Sequence, residues 1–551
     1  MKSRWFIRIA PAIIAILSAV ATRLIAHFAL GDVPHVMDEI AYVFQAKTLL
    51  TGHVTAPVAL PRAAFALWFV DDRASKYGIF PPGWPAVLSL GVGLHLRAWV
   101  NPVVHGITTW VVASAAYKLG EQRAKLLAAL LYGFSPQALF LAASLMSHTV
   151  VAFGAACALW AGISAVTGKT SRFSIFWGGI GVAIALVTRP LCGVVVALGL
   201  ISLLVVAVRQ KKIGGASFVI AAFPVLAGVA ILGAYNQAIT GSATRFPQSV
   251  WFDEHAAPMD DPFFRYRPGC NDLGFGEDHG CDDGIKNAAH SLPNALSNTG
   301  DNLTAWLFLA GGGPLSLLAP VFVLYLAKSE ERKNLLPIAV PIPAAIGLYA
   351  LYWYAGTCYG ARFYQAALPS LLLLGALAIS RLDQLRPRAT RWGILAWIAL
   401  SLPGFKVGLD EISDRYWGVD DRFARVKQNW NKGPAVVMVA FKTDGLPMHT
   451  LHVTGFTSKS PRSVWHNSVR VLGALSLNSL DMSILNDELV FAKFHPALVS
   501  ETRARFPNHA LYIYVMADSQ DDDEIELYRA SQWTDSSLPM PKDNFDGYVV
   551  P

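Results

Sequence analysis

Long apolar stretches alternate with short polar connections along the first three quarters of the chain. The first stretch follows Lys2, Arg4 and Arg8 and continues to Leu30. A helix needs about 20 mostly apolar residues to cross the hydrocarbon core of a bilayer. Ten further stretches approach that length, and they cover about 99–117, 126–145, 149–166, 173–187, 191–208, 216–237, 303–327, 335–354, 364–380 and 392–408. The pattern therefore predicts a mainly α, polytopic protein with about 11 transmembrane helices.

The composition supports a membrane protein. The 551 residues are 54% hydrophobic and only 15% charged, and the mean hydropathy is +0.40, whereas soluble domains carry roughly 25% charged residues. The net charge of +7 does not indicate a nucleic-acid partner, because the basic residues lie in short connections between apolar stretches.

Basic residues fall at every second connection, which predicts the orientation of the chain. Cytoplasmic loops carry an excess of Lys and Arg, so the N-terminus is expected in the cytoplasm. The intervening connections are tight or acidic, and 238–302 holds ten Asp or Glu against four Lys or Arg. The basic connections contain Lys118/Arg123/Lys125, Lys169/Arg172, Arg209/Lys211/Lys212, Lys328/Arg332/Lys333 and Arg381/Arg386/Arg388/Arg391.

The apolar segment 83–96 is an exception. Its roughly 14 residues would reach only about 21 Å as a helix, less than the bilayer core. We expect an interfacial or re-entrant helix, entered through Phe80-Pro81-Pro82-Gly83-Trp84-Pro85. Residues 1–409 are then a membrane domain, with a first outer loop at 31–98 and an outer lid loop at 238–302.

The remaining residues, 410–551, have a different pattern. Strands are predicted at Val436–Phe441, Leu489–Phe494 and Ala510–Met516, with a helix at Ala497–Phe506. This pattern predicts a small extracytoplasmic α/β domain.

Two adjacent carboxylates, Asp38 and Glu39, directly follow the first span. Neighbouring residues point in different directions on either a helix or a strand, which favours one acid in chemistry and one in support. The alternative is a solvated loop acid or a helix N-cap.

The predicted topology brings other polar residues to the same outer rim. His148, Arg189 and Arg362 lie at outer turns, and Lys76 and Tyr77 precede the Pro-Pro turn. Singly, each has an ordinary explanation, such as an arginine that extends to lipid headgroups or a histidine that caps a helix. Ionisable residues at membrane level are costly unless they are paired or hydrated, so together they indicate a site for an anionic headgroup such as phosphate.

A phosphate leaving group would also explain why so few acid and base residues are needed at this rim. It leaves as a stable anion, which needs electrostatic stabilisation and no proton, while the attacking hydroxyl needs a base such as Asp38. This is the chemistry of sugar transfer from a polyprenyl-phosphate donor.

The outer lid loop contains Cys270 and Cys281, for which we expect a disulfide; closing this loop would contribute about 2–3 kcal/mol. Between them, Glu277, Asp278 and His279 could hold a divalent cation, but consecutive residues rarely converge on one ion, so a solvated, glycine-hinged lid is the favoured interpretation. The sequence leaves metal dependence open.

A first span followed by Asp-Glu in the outer loop, then Pro-Pro-Gly-Trp-Pro and many spans, resembles the GT-C glycosyltransferases. The similarity is to the bacterial branch with lipid A aminoarabinose transferases and protein O-mannosyltransferases. It implies Asp38 as the catalytic acid of the first loop, and donor phosphate contacts from Arg189 and from Arg362 before Phe363-Tyr364. Tyr364 then becomes a possible substrate contact.

The resemblance implies an inverting transferase in a bacterial inner membrane, with a periplasmic site and a lipid, glycan or protein acceptor. The sequence departs from the family pattern at two positions, which leaves the donor sugar and metal dependence open. The position before the two prolines is Phe80, with Lys76 four residues earlier, and Ser147-His148 stands where many relatives carry an acid.

Two other classes of function remain as alternatives. A lipid or glycan transporter or flippase would require polar residues at mid-membrane and in inverted repeats. A membrane anchor for the C-terminal residues would leave the rim cations without a role.

Overall fold

The structure is a computed structural model that describes residues 2–120, 122–255, 290–352, 357–413, 419–441, 470–479, 487–494, 496–516, 525–529 and 548–550. Helices make up most of these residues as far as Ser413. They are α1 Lys2–Phe28, α2 Met37–Leu50, α3 Arg62–Phe65, α4 Gly83–Gly93, α5 Arg97–Lys118, α6 Gln122–Gly133, α7 Pro136–Ala143, α8 His148–Val166, α9 Arg172–Thr188, α10 Pro190–Arg209, α11 Ala216–Thr240, α12 Pro247–His255, α13 Leu292–Leu309, α14 Pro314–Leu326, α15 Ser329–Ala339, α16 Pro341–Ala350, a 3-10 helix Arg362–Ala366, α17 Leu368–Leu385 and α18 Pro387–Ser413.

Among the described residues, seven helices are long and apolar enough to cross a membrane, and nine if each of two bent pairs counts as one span. The expected 11 also included 99–117 and 173–187. α5 covers the first of these, but buried polar residues such as Asn101 and His105 interrupt its apolar surface. α9 covers the second and has 17 residues.

The interior of the bundle is formed by α8 and α17. In their most apolar segments 89% and 72% of the residues are buried, compared with 28% in α11 and 22% in α18. α8 is rich in small residues, so its neighbours approach closely, which is how helices associate in a membrane. α11 and α18 leave most of their apolar surface open to lipid.

The predicted span 303–327 is broken. α13 and α14 meet at 91° across Gly311, Gly312 and Gly313, each of which has positive φ. Three consecutive residues with positive φ are accessible only to a glycine run, and Pro314 starts the next helix. The apolar composition of 303–327 therefore did not predict the sharp bend at the three glycines.

α4 lies against the bundle at the point where α9 ends. Its 11 residues agree with the expectation of a segment too short to span. A Cβ on Gly83 would lie 2.5 Å from Thr188 Oγ1 and 2.8 Å from the backbone nitrogen of Thr188, so only glycine permits this approach. The glycine of the Pro-Pro-Gly-Trp-Pro turn thereby sets the start of α4 against the residue before Arg189.

The C-terminal residues contain a five-stranded mixed sheet. Its strands are β3 Ala435–Phe441, β4 Leu489–Lys493, β5 Ala510–Met516, β6 Ile525–Arg529 and β7 Tyr548–Val550, in the order β4-β3-β5-β6-β7. β3 pairs in parallel with β4 and β5, and the other pairs are antiparallel. Helices α19 Arg422–Asn429 and α20 Pro496–Arg505 accompany the sheet. The three predicted strands and the predicted helix are confirmed to within two residues, and an independent domain at 410–551 stays a prediction.

The first outer loop contains a small hairpin of β1 Val70–Asp71 and β2 Tyr77–Gly78. It also contacts the C-terminal sheet, because Phe65 of α3 packs into the apolar cluster around Val436 and Phe506. The loop thus lies between the helical bundle and the sheet.

Substituting Gly312 by Ala should destabilise the protein. A Cβ there would lie 2.4 Å from the Trp397 ring, and φ is +76°, so both a clash and strain oppose it; we expect a loss of more than about 1 kcal/mol. Gly347→Ala is the matched control, because its Cβ would meet nothing within 4 Å. Thermal unfolding of the purified variants in detergent tests this, and equal midpoints for both would contradict it.

Candidate active site at the outer rim

Asp38 lies in the first turn of α2 and is half-buried. Among the described residues its carboxylate has no hydrogen-bond or ion-pair partner. It interacts electrostatically with Arg189 and with Tyr42, one helical turn further along α2. A carboxylate beside a guanidinium, with its oxygens not used by the protein, is available to accept a proton or a ligand group.

Glu39, unlike Asp38, is fully buried and its carboxylate is hydrogen-bonded within the protein. One oxygen accepts from the backbone N–H of His35 at 2.6 Å, and the other accepts from the backbone N–H of Leu145 at 3.0 Å and from the Tyr359 hydroxyl at 3.3 Å. Burial raises the pKa of Glu39 to about 7, although the two backbone N–H donors lower it. These contacts join three segments that are far apart in sequence.

The short turn between α7 and α8 is fixed by several such contacts. Trp84 Nε1 donates to the carbonyl of Leu145 at 2.8 Å, and Asn101 Nδ2 donates to those of Ser144 and Met146 at 2.8 and 2.9 Å. With Glu39 on the N–H of Leu145, the irregular backbone of this turn is satisfied by side chains, as a buried turn requires. Ser147 and His148 therefore have defined positions at the start of α8.

Arg189 stands between α9 and α10. Its Nη1 donates to Ser147 Oγ at 3.1 Å, and the Tyr42 hydroxyl lies 3.2 Å from the same oxygen. The Tyr42 hydroxyl is also a side-chain hydrogen-bond partner of Arg189, and no described carboxylate lies within 4 Å of the guanidinium group. A guanidinium group has five N–H donors, so donors remain for a ligand or water.

Arg362 and Arg189 share one aromatic neighbour, the ring of Phe363. The guanidinium carbons of Arg362 and Arg189 lie 5.1 and 5.5 Å from the Phe363 ring centroid. Arg362 is 7% exposed and donates to the carbonyl of Cys358 at 3.3 Å. Aromatic faces attract cations, so the Phe363 ring is a favourable neighbour for both guanidinium groups.

His148 completes this group of residues. Its ring lies 6.1 Å from that of Phe363, and it is in electrostatic range of Arg189 and Arg362. The side chain is fully buried, and neither ring nitrogen has a hydrogen-bond partner among the described residues. We call Ser147, His148, Arg189, Arg362 and Phe363 the arginine cluster.

The arginine cluster and Asp38 define what the site can do. Two guanidinium groups can hold a tetrahedral oxyanion through several parallel N–H bonds, and Asp38 lies beside them. A buried His148 with two unused nitrogens adds a further donor or acceptor. The arrangement suits a reaction in which an anionic group departs toward the arginines while a proton moves to Asp38.

The structure does not bring Lys76 and Tyr77 to this cluster, although the sequence assigned both to donor phosphate. Lys76 Nζ donates to the carbonyl of Phe65 at 3.1 Å and lies 5.3 Å from the Phe44 ring centroid. Tyr77 pairs with Asp71 in the hairpin and also interacts with Arg73. Both residues are close to the Pro-Pro turn in sequence, but Tyr77 belongs to the hairpin and Lys76 directly precedes it, and their contacts are with the first outer loop and α2.

Tyr364 is fully buried next to Arg362 and packs against the Trp306 ring at 5.3 Å and the Tyr349 ring at 6.5 Å. It supports the wall behind the cluster. The expected Cys270–Cys281 bridge and residues 277–279 lie outside the described residues. Within the described ranges, no group of three or more His, Cys, Asp or Glu side chains is placed to hold a metal ion.

Sequence reasoning missed three features of the site: Tyr42, the hydrogen bond between Ser147 and Arg189, and the Phe363 ring beside both arginines. Tyr42 could have been predicted from the sequence, because it lies four residues after Asp38 and therefore on the same helical face. The role of Phe363 depends on how α10 and the 3-10 helix approach each other, which no local pattern shows.

No family model matches this sequence, and no curated protein matches it. Its structural neighbours are GT-C glycosyltransferases. Apo ArnT from Cupriavidus metallidurans has a TM-score of 0.49 and 14% identity over 91% of this chain and 92% of that one. ArnT from the same organism bound to undecaprenyl phosphate gives 0.48 and 13%, with the same coverage.

The oligosaccharyltransferase of Archaeoglobus fulgidus in the apo form has a TM-score of 0.45 and 13% identity over 84% of this chain. This chain spans 64% of the length of that protein. Similarities of this size do not assign an activity, so the function has to be argued from the site itself.

Glu39 should make folding stability depend on pH. Its pKa of about 7 lies above the ordinary 4.5, so the native state binds the proton more tightly. The free energy of unfolding should then decrease by about 3 kcal/mol as the pH rises from about 4.5 to about 7, and level off above that. Glu39→Gln should lack this component.

The measurement is the thermal midpoint in detergent between pH 4.5 and 8, with the exposed Glu330→Gln as control. An identical pH profile for wild type and Glu39→Gln would contradict the buried, proton-binding carboxylate.

Proposed function

We propose that this protein is an integral membrane glycosyltransferase that moves a sugar from a polyprenyl-phosphate donor to an acceptor hydroxyl. The observation that carries the proposal is the half-buried Asp38 carboxylate, without a described protein partner, beside the arginine cluster. Two guanidinium groups beside one aromatic ring suit an anionic donor group, and the surrounding apolar helices suit its lipid chain.

The reaction is a single displacement. Asp38 accepts the proton of the acceptor hydroxyl while that oxygen bonds to the anomeric carbon. The bond from this carbon to the phosphate oxygen breaks, and the electron pair leaves with the polyprenyl phosphate, whose charge Arg189 and Arg362 stabilise. One displacement inverts the anomeric configuration.

The site is proposed to face away from the cytoplasm. If α5 and α9 cross the membrane as the sequence predicts, the basic connections alternate as the positive-inside rule requires, and α2 and the arginine cluster face outward from a bacterial inner membrane. The acceptor is a lipid, glycan or protein hydroxyl on that face.

Asp38→Asn should reduce sugar transfer at least a hundredfold, because loss of a general base typically costs that much or more. Stability should be preserved, since no described group forms a hydrogen bond or ion pair with this carboxylate. Release of polyprenyl phosphate from a panel of polyprenyl-phosphate sugars measures transfer, with the exposed Asp410→Asn as control. A stable Asp38→Asn variant with most of its activity would exclude Asp38 as the base.

Arg362→Ala should weaken binding of undecaprenyl phosphate at least tenfold, equivalent to about 1.4 kcal/mol, because it removes one of two cations from a buried site. The affinity of Arg362→Lys should lie between those of the wild type and Arg362→Ala, since lysine keeps the charge but lacks the planar guanidinium fork. Titration of detergent-solubilised protein by native mass spectrometry gives the affinities. Equal affinity for Arg362→Ala and the exposed control Arg386→Ala would remove Arg362 from the site.

A lipid transporter or flippase is the second candidate, favoured by the two bent helix pairs, α6–α7 at 49° and α13–α14 at 91°. Broken helices line the substrate paths of many transporters. Movement of a fluorescent polyprenyl phosphate across proteoliposomes, without sugar transfer, would favour this function over the first.

A further inference from the structure

A second group of cations lies on the other side of α2. A small cavity of about 30 Å³ opens between α2, residues 57–67 of the first outer loop and residues 475–479 near the C-terminal sheet. Its walls are about equally polar and apolar, and two lysine side chains, Lys47 and Lys76, line it. The apolar walls are formed mainly by Phe44, Phe65, Leu67 and Leu475.

Backbone carbonyls are the hydrogen-bond partners of both amines. Lys47 Nζ donates to the carbonyls of Ser476 and Asn478 at 2.7 and 3.0 Å, and Lys76 Nζ donates to that of Phe65 at 3.1 Å. An ammonium group has three N–H donors, so one on Lys47 and two on Lys76 remain. Within the described part of the chain, no carboxylate lies within 4 Å of either amine.

Charges of both signs surround these amines. Lys427 and Arg97 are further cations in electrostatic range of Lys47, and Asp487 is an acid in range of it. Asp72 is in electrostatic range of Lys76. Both carboxylates are in direct contact with other cations, because Asp487 lies 3.2 Å from Lys427 and Asp72 lies 2.9 Å from Arg62.

Burial lowers the pKa of Lys47 to about 7 and that of Lys76 to about 8. Nearby cations lower the pKa of Lys47 further. Two half-buried amines without a described carboxylate in direct contact are an unfavourable arrangement, and a bound anion would relieve it.

This cavity is separate from the arginine cluster. Lys47 follows Asp38 by nine residues, which on an α-helix is two and a half turns and about 14 Å along the axis. The two side chains therefore leave α2 on opposite faces. Asp38 and Tyr42 face the bundle, where Tyr42 contacts Ser147, while Lys47 faces residues 475–479.

We propose that the Lys47–Lys76 cavity binds a phosphate-class oxyanion, as free phosphate or as the headgroup of an anionic lipid. Compact ammonium groups bind phosphate as point charges, and three remaining N–H donors match the several acceptor oxygens of this group. Because Lys47 is on α2 and its carbonyl partners are on 476–478, the ligand would also strengthen the contact between the first outer loop and the C-terminal residues. The proposal does not depend on the transfer reaction.

Protection of the amines from acetylation tests this site without any activity assay. Full-length protein in phosphatidylcholine nanodiscs is treated with a limiting amine-acetylating reagent at fixed pH and ionic strength, and each lysine is quantified by mass spectrometry. Inorganic phosphate should slow acetylation of Lys47 and Lys76 severalfold with one common midpoint. The exposed Lys333 and Lys406 should show no such effect.

Two further arms separate the ligand sources and the role of each amine. Protection by phosphatidic acid in the nanodisc, in phosphate-free buffer, identifies a lipid headgroup, whereas protection by inorganic phosphate alone identifies the free ion. Lys47→Met should weaken the protection of Lys76, and Lys76→Met that of Lys47. No protection by either ligand, or equal protection by chloride at the same ionic strength, would overturn the proposal.

Discussion

The geometry of the outer rim depends on one buried carboxylate. Glu39 accepts hydrogen bonds from His35 at the start of α2, from Leu145 in the turn before α8, and from Tyr359 three residues before Arg362. These segments carry Asp38, the start of α8 and Arg362. A buried carboxylate needs donors to offset its desolvation, and the three donors that satisfy Glu39 also fix the segments relative to one another. The adjacent Asp38 is left free for a ligand because Glu39 takes the structural role.

The two sides of α2 show how one helix can serve two anionic ligands. The face with Asp38 and Tyr42 contacts the helical bundle, where arginines present planar donors around an aromatic ring. The opposite face carries Lys47, whose amine meets backbone carbonyls beside the C-terminal sheet. Guanidinium groups suit multidentate binding in a fixed geometry, while ammonium groups suit a compact charge in a looser cavity. The proposed sites therefore differ in chemistry as well as in position.

Much of the fold could be predicted from sequence because apolar stretches of helical length are a strong, local signal. Each expected span has a helical counterpart, and the strands near 436, 489 and 510 were also found. The signal fails where polar residues are buried inside the bundle, as at Asn101 in α5, and where a glycine run turns a continuous apolar stretch, as at Gly312. Both are tertiary effects, since the polar group finds its partners and the corner its space only in the assembled bundle.

The candidate site was predictable in part for the same reason. Arg189, Arg362 and His148 follow helix ends, so topology alone brings them to one rim. The backbone geometry between α2 and the hairpin at 70–78 determines which of Asp38 and Glu39 is buried. It also determines that Lys76 contacts other residues than the arginine cluster. This geometry has no periodic signature in the sequence. Lys47 gave no signal because an isolated lysine on a helix is ordinarily a surface residue.

The most direct measurement is a structure of the protein with undecaprenyl phosphate bound. The account predicts that the phosphate contacts both Arg189 and Arg362, and that Asp38 lies beside the position of the anomeric carbon of a donor sugar. A phosphate at the Lys47–Lys76 cavity alone, or a lipid path through the bundle that bypasses the arginine cluster, would contradict it.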